Sequence, residues 1–235
     1  MKAMILAAGL GKRMRPLTDH MPKPLLKAKG KCLIEYHLEA LQALGTQQVV
    51  INTHWLAGQV PSSLGDGQRW QMHIHYSHEP ELLETAGGIR AALAHLDSED
   101  DTPFLVVNGD IFIQQSIQSW AQTALALLED CQACLALVPN PEHHPEGDFA
   151  WDTHSKLLSL SADRSSQSML TYAGLALFRP SLFRQLDTGP APLAPLLRKA
   201  INAQRITGLP LQGFWSDIGT PERLAALEEF LDQPE

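Results

Sequence analysis

Lys2-Ala3-Met4-Ile5-Leu6-Ala7-Ala8-Gly9-Leu10-Gly11-Lys12-Arg13-Met14-Arg15-Pro16-Leu17-Thr18, with Met21-Pro22-Lys23-Pro24-Leu25-Leu26 just behind it, is the stretch that decides the fold. Met4 to Ala8 is an apolar run of strand length. It stops at two glycines and opens into a loop carrying Lys12, Arg13 and Arg15, after which Pro16, Pro22 and Pro24 stiffen the path back. Glycine lets backbone approach an anion closely and leaves N–H groups pointing at it, while Lys and Arg add charge. The pattern predicts a phosphate-rich ligand held above the end of a strand.

Two common phosphate loops do not fit. A P-loop needs Gly five residues before its Gly-Lys pair and Ser or Thr just after it, and those places hold Leu6 and Arg13. A dinucleotide fingerprint needs a third glycine where this chain has Met14. It also needs an acid at the end of the next strand, and Val49-Val50-Ile51-Asn52 offers none.

Outward from the opening strand, short apolar runs alternate with helical spacing. Helices are expected over 33–44 (ending at Gly45), 56–64 with a break at Pro61, 86–96 and 117–128. Strands are expected over 48–52, 72–76, 104–107 and 133–138. This rhythm predicts an α/β, Rossmann-like, mostly parallel sheet with helices on both faces. After Pro139 it changes: runs at 149–151, 157–160 and 170–178 read as a smaller, mostly antiparallel extension. A helix over 193–203, a strand over 205–209 and a helix over 221–231 close the chain. One domain over 1–235 is expected, with parts at 1–138, 139–219 and 220–235.

Composition agrees with a soluble globular protein and excludes other classes. Hydrophobic residues make up 44% and charged residues 19%, ordinary for a globular chain. No apolar run nears membrane-spanning length, and strand-like sequence begins at once, so a cytoplasmic protein without a leader is expected. The first 31 residues carry eight Lys/Arg against one acid, while the rest carries ten against 25. An acidic body with one basic loop repels nucleic acid and attracts a compact anion. Cys131 and Cys134 form a C-x-x-C that runs into strand-like Leu135 to Val138. They read as buried, reduced thiols in preference to half a zinc site.

Four further segments carry chemistry. Leu82-Leu83-Glu84-Thr85-Ala86-Gly87-Gly88-Ile89 places two glycines at a helix start, where bare backbone N–H groups and no side chains would face a flat ring. Phe104 to Val107 ending in Asn108-Gly109-Asp110 sets a carboxylate at the ligand end of a strand, the kind of group that holds Mg²⁺ together with phosphates. In Trp215-Ser216-Asp217-Ile218-Gly219-Thr220-Pro221, Thr220 and Pro221 start a helix, and Asp217 is not needed for that start. Asn140-Pro141-Glu142-His143-His144-Pro145-Glu146-Gly147-Asp148-Phe149 is a long polar loop. Adjacent histidines seldom share an ion, and no third ligand is evident.

Taken together these segments resemble the sugar nucleotidyltransferase family, whose opening is L-A-A-G-x-G-x-R-(M/L)-x-P-L-T followed by P-K-P; the match runs from Leu6 to Pro24. The resemblance implies the nucleotide-diphospho-sugar transferase fold and a reaction of a nucleoside triphosphate with a sugar 1-phosphate, using Mg²⁺. It implies that Leu6, Ala8, Gly9, Gly11, Lys12 and Arg13 wrap the triphosphate, with Arg13 on its outer phosphates. Lys23 would reach the reacting phosphates, and Thr85, Gly87 and Gly88 would hold the base. Asp110 and Asp217 would hold the metal, and Arg13, Lys23 and Asp110 would carry catalysis. Asn108 and Asp148 would bind sugar hydroxyls, and Gly174 would leave room for the hexose. Lys12 departs from the wider family, where Thr is frequent, and Ala173 lies at a variable position bearing on sugar choice. Leu193-Ala194-Pro195-Leu196-Leu197-Arg198 adds to the likeness, which narrows to a uridylyl-transferring branch of cell-wall recycling. Guanylyl transfer to mannose 1-phosphate, thymidylyl transfer to glucose 1-phosphate and a catalytically dead nucleotide-sugar sensor stay open from the residues alone.

Overall fold

In a computed structural model describing residues 1–98, 100–163 and 165–233, the chain builds one nine-stranded sheet with helices on both sides. In order the elements are β1 (Ala3–Leu6), β2 (Lys27–Ala28), β3 (Lys31–Cys32), α1 (Leu33–Ala43), β4 (Gln48–Thr53), α2 (Gln59–Leu64), β5 (His73–His78) and α3 (Glu84–Leu96). Then come β6 (Phe104–Asn108), β7 (Ile111–Ile113), α4 (Ile117–Ala126), β8 (Ala133–Val138), β9 (Phe149–Asp152), β10 (Leu158–Ser159) and β11 (Gln167–Phe178). The last are α5 (Leu193–Asn202), β12 (Ile206–Pro210), β13 (Trp215–Asp217) and α6 (Pro221–Leu231). The sheet order is β10-β9-β11-β6-β1-β4-β5, with β8 pairing β11 and β12.

The opening strand lies between β4 and β6, parallel to both, and Leu6 is level with Asn52 and Asn108. The carboxyl ends of the parallel strands therefore form one ledge. Both faces of these strands are buried, which explains their unbroken apolar runs. Ile5, Ile51, Leu105 and Val107 pack with Ile34, Leu38 and Leu41 of α1 and Trp120 of α4. Met4, Val50, Phe104 and Val106 pack on the other face with Ile89 and Leu93 of α3 and Leu197 and Ile201 of α5.

The antiparallel extension is continuous with this sheet. Leu175 to Phe178 of β11 pair with Val107 to Phe104 of β6, while Gln167 to Leu170 pair with β9. Against β8 the register of β11 slips between Tyr172 and Ala176, and Gly174, with φ 79°, supplies the left-handed residue inside that irregular stretch.

Most expected elements form within a residue or two of their ranges. The helix expected from residue 56 begins only at Gln59, and Pro61 does not break it. Proline in the first turn gives up an N–H that has no helical partner. The short ribbons β2–β3 and β7–β13 are additions, two or three residues per strand with too little length for periodicity to register. The final part was expected over 220–235; α6 ends at Leu231, and residues 234–235 lie outside the described residues. A third apolar cluster of Met14, Leu26, Leu33, Phe112, Ile218 and Leu227 fastens α6 to the back of the glycine loop. No helix among the described residues is long and apolar enough to cross a membrane.

Candidate active site

A cavity of about 620 Å³ opens above the ledge of strand ends. Leu6, Ala8, Gly9, Lys23, Thr85, Asn108, Asp110 and Asp148 all line it, drawing together residues from four of the segments singled out above. Lys23 sits on a single tight turn, Lys23–Leu25, which Pro22 and Pro24 pre-set; the N–H of Leu26 closes it on the Lys23 carbonyl at 3.0 Å. Its side chain is only 9% exposed, and Nζ donates to Asp110 Oδ2 at 2.5 Å. A buried ammonium on a half-exposed carboxylate at a cavity floor is a cation kept dehydrated and aimed.

The glycine loop continues beyond the cavity. Gly11, at φ 62°, starts a tight turn over Lys12–Met14 whose Met14 anchors in the core. A Cβ on Gly11 would come within 2.9 Å of the Thr18 methyl, and Thr18 Oγ1 donates to the Gly11 carbonyl at 2.8 Å. Lys12 and Arg13 project outward from this turn and are exposed.

Asp217 reaches the site through β13, paired with β7 so that Asp217 stands opposite Ile111. Its carboxylate lines a second cavity of about 280 Å³ together with His143 and Arg223. Arg223 Nη1 donates to Asp217 Oδ1, and His143 Nε2 lies 3.1 Å from that oxygen. Asp110 and Asp217 thus offer hard oxygen donors on hydrogen-bonded neighbouring segments. That set suits Mg²⁺ completed by substrate phosphates. Each carboxylate is paired with a cation of the chain, Asp110 with Lys23 and Asp217 with Arg223.

Four of the expected site residues make contacts within the protein. Gly87 and Gly88 do not line the cavity, because both are buried in packing. The Gly87 N–H donates to the Ala191 carbonyl at 3.0 Å, and a Cβ there would strike the Gly189 carbonyl. A Cβ on Gly88 would stand 2.6 Å from Glu79 Oε1. Gly174 likewise makes room for Asn108, whose Nδ2 would lie 2.7 Å from an added Cβ, so the space it leaves is filled by protein. Asp148 lines the cavity, but both its oxygens are engaged: Oδ2 accepts the Tyr172 N–H at 2.8 Å and Oδ1 lies 3.1 Å from His144 Nε2. Burial first, and Asp148 second, push the Tyr172 phenol above its ordinary value.

The most consequential group missed by sequence reading is Glu79, 1% exposed just beyond β5. Oε1 accepts Asn52 Nδ2 at 2.7 Å and Oε2 accepts the Leu83 N–H at 3.0 Å, while Asn52 Oδ1 accepts the Ala7 N–H at 2.7 Å. This chain of bonds fixes the glycine loop's root against the start of α3. A single Glu in a polar loop gives no periodic signal; the nearby Gly88, which leaves it space, was the available hint. Arg223 and His143 were also missed as partners of Asp217. The C-x-x-C thiols are buried and unpaired, and burial raises both.

A parallel sheet whose strand ends carry a glycine loop, a dehydrated lysine and two carboxylates defines an α/β enzyme that handles phosphorylated ligands. The chain belongs to the Nucleotidyl transferase family, whose profile matches residues 2–233. It is 46% identical over 226 residues, 95% of either chain, to the N-acetylmuramate alpha-1-phosphate uridylyltransferase of Neisseria meningitidis serogroup B. It is 31% identical over 241 residues, 96% of this chain and 95% of the other, to the enzyme of the same name from Caulobacter vibrioides. A Bacillus anthracis structure described as a glucose-1-phosphate thymidylyltransferase superposes with a TM-score of 0.83, covering 100% of this chain and 96% of that one. At 19% identity this likeness speaks to fold alone.

Proposed function

We propose that this chain transfers a uridylyl group from UTP to N-acetylmuramate α-1-phosphate, giving UDP-N-acetylmuramate and pyrophosphate. The observation that carries the chemistry is the buried Lys23 ammonium held on Asp110 at the floor of the cavity. The choice of substrates rests on likeness to two uridylyltransferases along almost the whole chain. A sugar-phosphate oxygen attacks the α-phosphorus in line, the bond between that phosphorus and the α–β bridging oxygen breaks, and pyrophosphate leaves with the electron pair. No covalent enzyme intermediate is needed, so catalysis comes from positioning and charge.

Lys23 brings the two anionic reactants together, and Arg13 holds the outer phosphates. Asp110 and Asp217 would hold Mg²⁺, which supplies charge neutralisation at the α-phosphate. Thr85 borders the base, and Asn108 with Asp148 borders the sugar. Residues 1–138 then serve the nucleotide and 139–219 the sugar, with α6 of the C-terminal part (220–235) packed against the glycine loop. The reaction belongs to the cytoplasm and to peptidoglycan recycling.

The test is pyrophosphate release with UTP, dTTP, GTP and CTP, each against N-acetylmuramate, glucose, N-acetylglucosamine and mannose 1-phosphates, with a chelated control. A dominant signal for UTP with N-acetylmuramate 1-phosphate is expected. Dominance by another pair would move the substrate, and silence from every pair would leave a nucleotide-sugar sensor.

A further inference from the structure

Arg223 has no role in the reaction as described so far, yet its guanidinium stands on Asp217 beside His143 and Arg13. A Cβ built on Gly219 would collide with Arg223 Nη2 and come within 3.2 Å of Arg13 Nη2, so both guanidinium groups press against one glycine. The Arg13 side chain is exposed, and among the described residues its guanidinium has no ion-pair partner; Arg223 is paired only with Asp217 and its neighbour His143. Of these two guanidinium groups only Arg223 holds a carboxylate, that of Asp217. Such an arrangement is stable while Asp217 serves Arg223 and lacks an anion as soon as Asp217 is committed elsewhere.

We infer that Arg223 is an exchanging counter-ion and a second holder of the departing pyrophosphate. In the free enzyme it neutralises Asp217. Were Asp217 to hold Mg²⁺, the guanidinium would be freed beside Arg13, and the two forks would donate hydrogen bonds to pyrophosphate between them. Planar guanidinium groups meet phosphate oxygens two at a time, which suits a multiply charged leaving group better than a point charge does. The placement needs no large motion. Arg223 lies in the first turn of α6, its N–H held by Thr220 Oγ1 at 3.4 Å, and Asp217 is fixed by the β13 ladder. This inference rests on the proposed nucleotidyl transfer and adds to it a residue and an order of events.

Full-length Arg223→Gln and Arg223→Lys test it by two direct binding measurements. One is calorimetry with pyrophosphate, and the other is spin-resonance titration with Mn²⁺ in the absence of nucleotide. For Arg223→Gln, pyrophosphate affinity is expected to fall about tenfold or more, the usual worth of a charge-assisted contact, while Mn²⁺ affinity rises severalfold. Arg223→Lys should fall between parent and Gln for pyrophosphate. An unchanged pyrophosphate affinity, or a metal affinity that fails to rise, overturns the exchange. Parent turnover is measured alongside: a parent that releases no pyrophosphate from UTP sinks the functional reading, whereas a fully active parent with an indifferent Gln variant sinks this inference alone.

Discussion

The carbonyl of Asp110 accepts the N–H of Ile218 at 2.7 Å, and that bond holds together two aspartate segments far apart in the sequence. Asp110 leaves the end of β6 and leads into β7, while Asp217 closes β13, and the two short strands pair along Ile111 to Ile113. A ribbon of this size has little stability of its own. It is held by aromatic packing: Phe112 lies 5.5 Å from Tyr36 and 6.1 Å from both Phe214 and Phe230, and the last two rings stack at 4.0 Å.

The first prediction concerns the ion pair at the floor. Asp110→Asn should cost at least about 100-fold in kcat, since preorganised charge at the reacting phosphates is lost. It also leaves the nearly buried Lys23 ammonium without its carboxylate. Because Asp110 is 38% exposed, solvent screens the pair, and the stability loss should be about 1–2 kcal/mol. Steady-state kinetics and urea unfolding on the same preparation check this. Turnover within tenfold of the parent would remove Asp110 from the reaction.

A second prediction separates the support of the metal-side carboxylates from their chemistry. Phe112→Ala removes a buried ring from behind β7 and should cost about 3 kcal/mol. With the ribbon loosened, half-saturating Mg²⁺ should rise as well, although Phe112 would touch no ligand. A variant that loses stability and keeps its metal requirement would show that the ribbon does not govern the carboxylates.

The large-scale architecture was legible because it follows from periodicity. Unbroken apolar runs such as Phe104 to Val107 require burial on both faces, and the spacing of Ile34, Leu38 and Leu41 requires a helix against one of them. A motif closing a strand marked the position of Asp110, and the flanking prolines marked the turn that carries Lys23. What stayed hidden were relations between segments. That Gly88 gives its space to Glu79, or Gly174 to Asn108, depends on which backbone lies opposite, and a local pattern carries no record of that. Glu79 itself was invisible because a buried carboxylate and an exposed one look alike in sequence.

The third prediction tests that hidden relation. Gly88→Ala puts a methyl carbon 2.6 Å from Glu79 Oε1 and 3.0 Å from Asn52 Nδ2, and both groups are buried. The carboxylate must shift, loosening its bonds to Asn52 and the Leu83 N–H, at about 1–3 kcal/mol. KM for UTP should rise with little change in KM for the sugar phosphate, because the start of α3 borders the nucleotide side. Glu79→Ala should reproduce the KM shift. Equal changes in both KM values would place this network elsewhere than under the nucleotide.

The last prediction rests on His37, on α1 beneath the Asp110 turn. It is 3% exposed, Nε2 has no hydrogen-bond partner among the described residues, and burial pulls its pKa down to about 4 despite the opposing effects of Asp110 and of a hydrogen bond with Ile111 backbone. The folded chain therefore keeps this imidazole neutral, whereas the unfolded chain protonates it near 6.5. Between those values the unfolded state binds more protons, so stability is complete above about pH 6.5 and falls as the pH drops toward 4, by on the order of 3 kcal/mol. Carboxylates titrate in the lower part of the same window, so the comparison must be made against a variant. His37→Gln can keep a hydrogen bond to the Ile111 backbone and has no proton to gain. Urea unfolding at pH 7 and pH 4.5 should show the parent losing about 2–3 kcal/mol more than the variant over that interval. Equal losses would mean that the buried imidazole contributes nothing to acid sensitivity and that the carboxylates account for all of it.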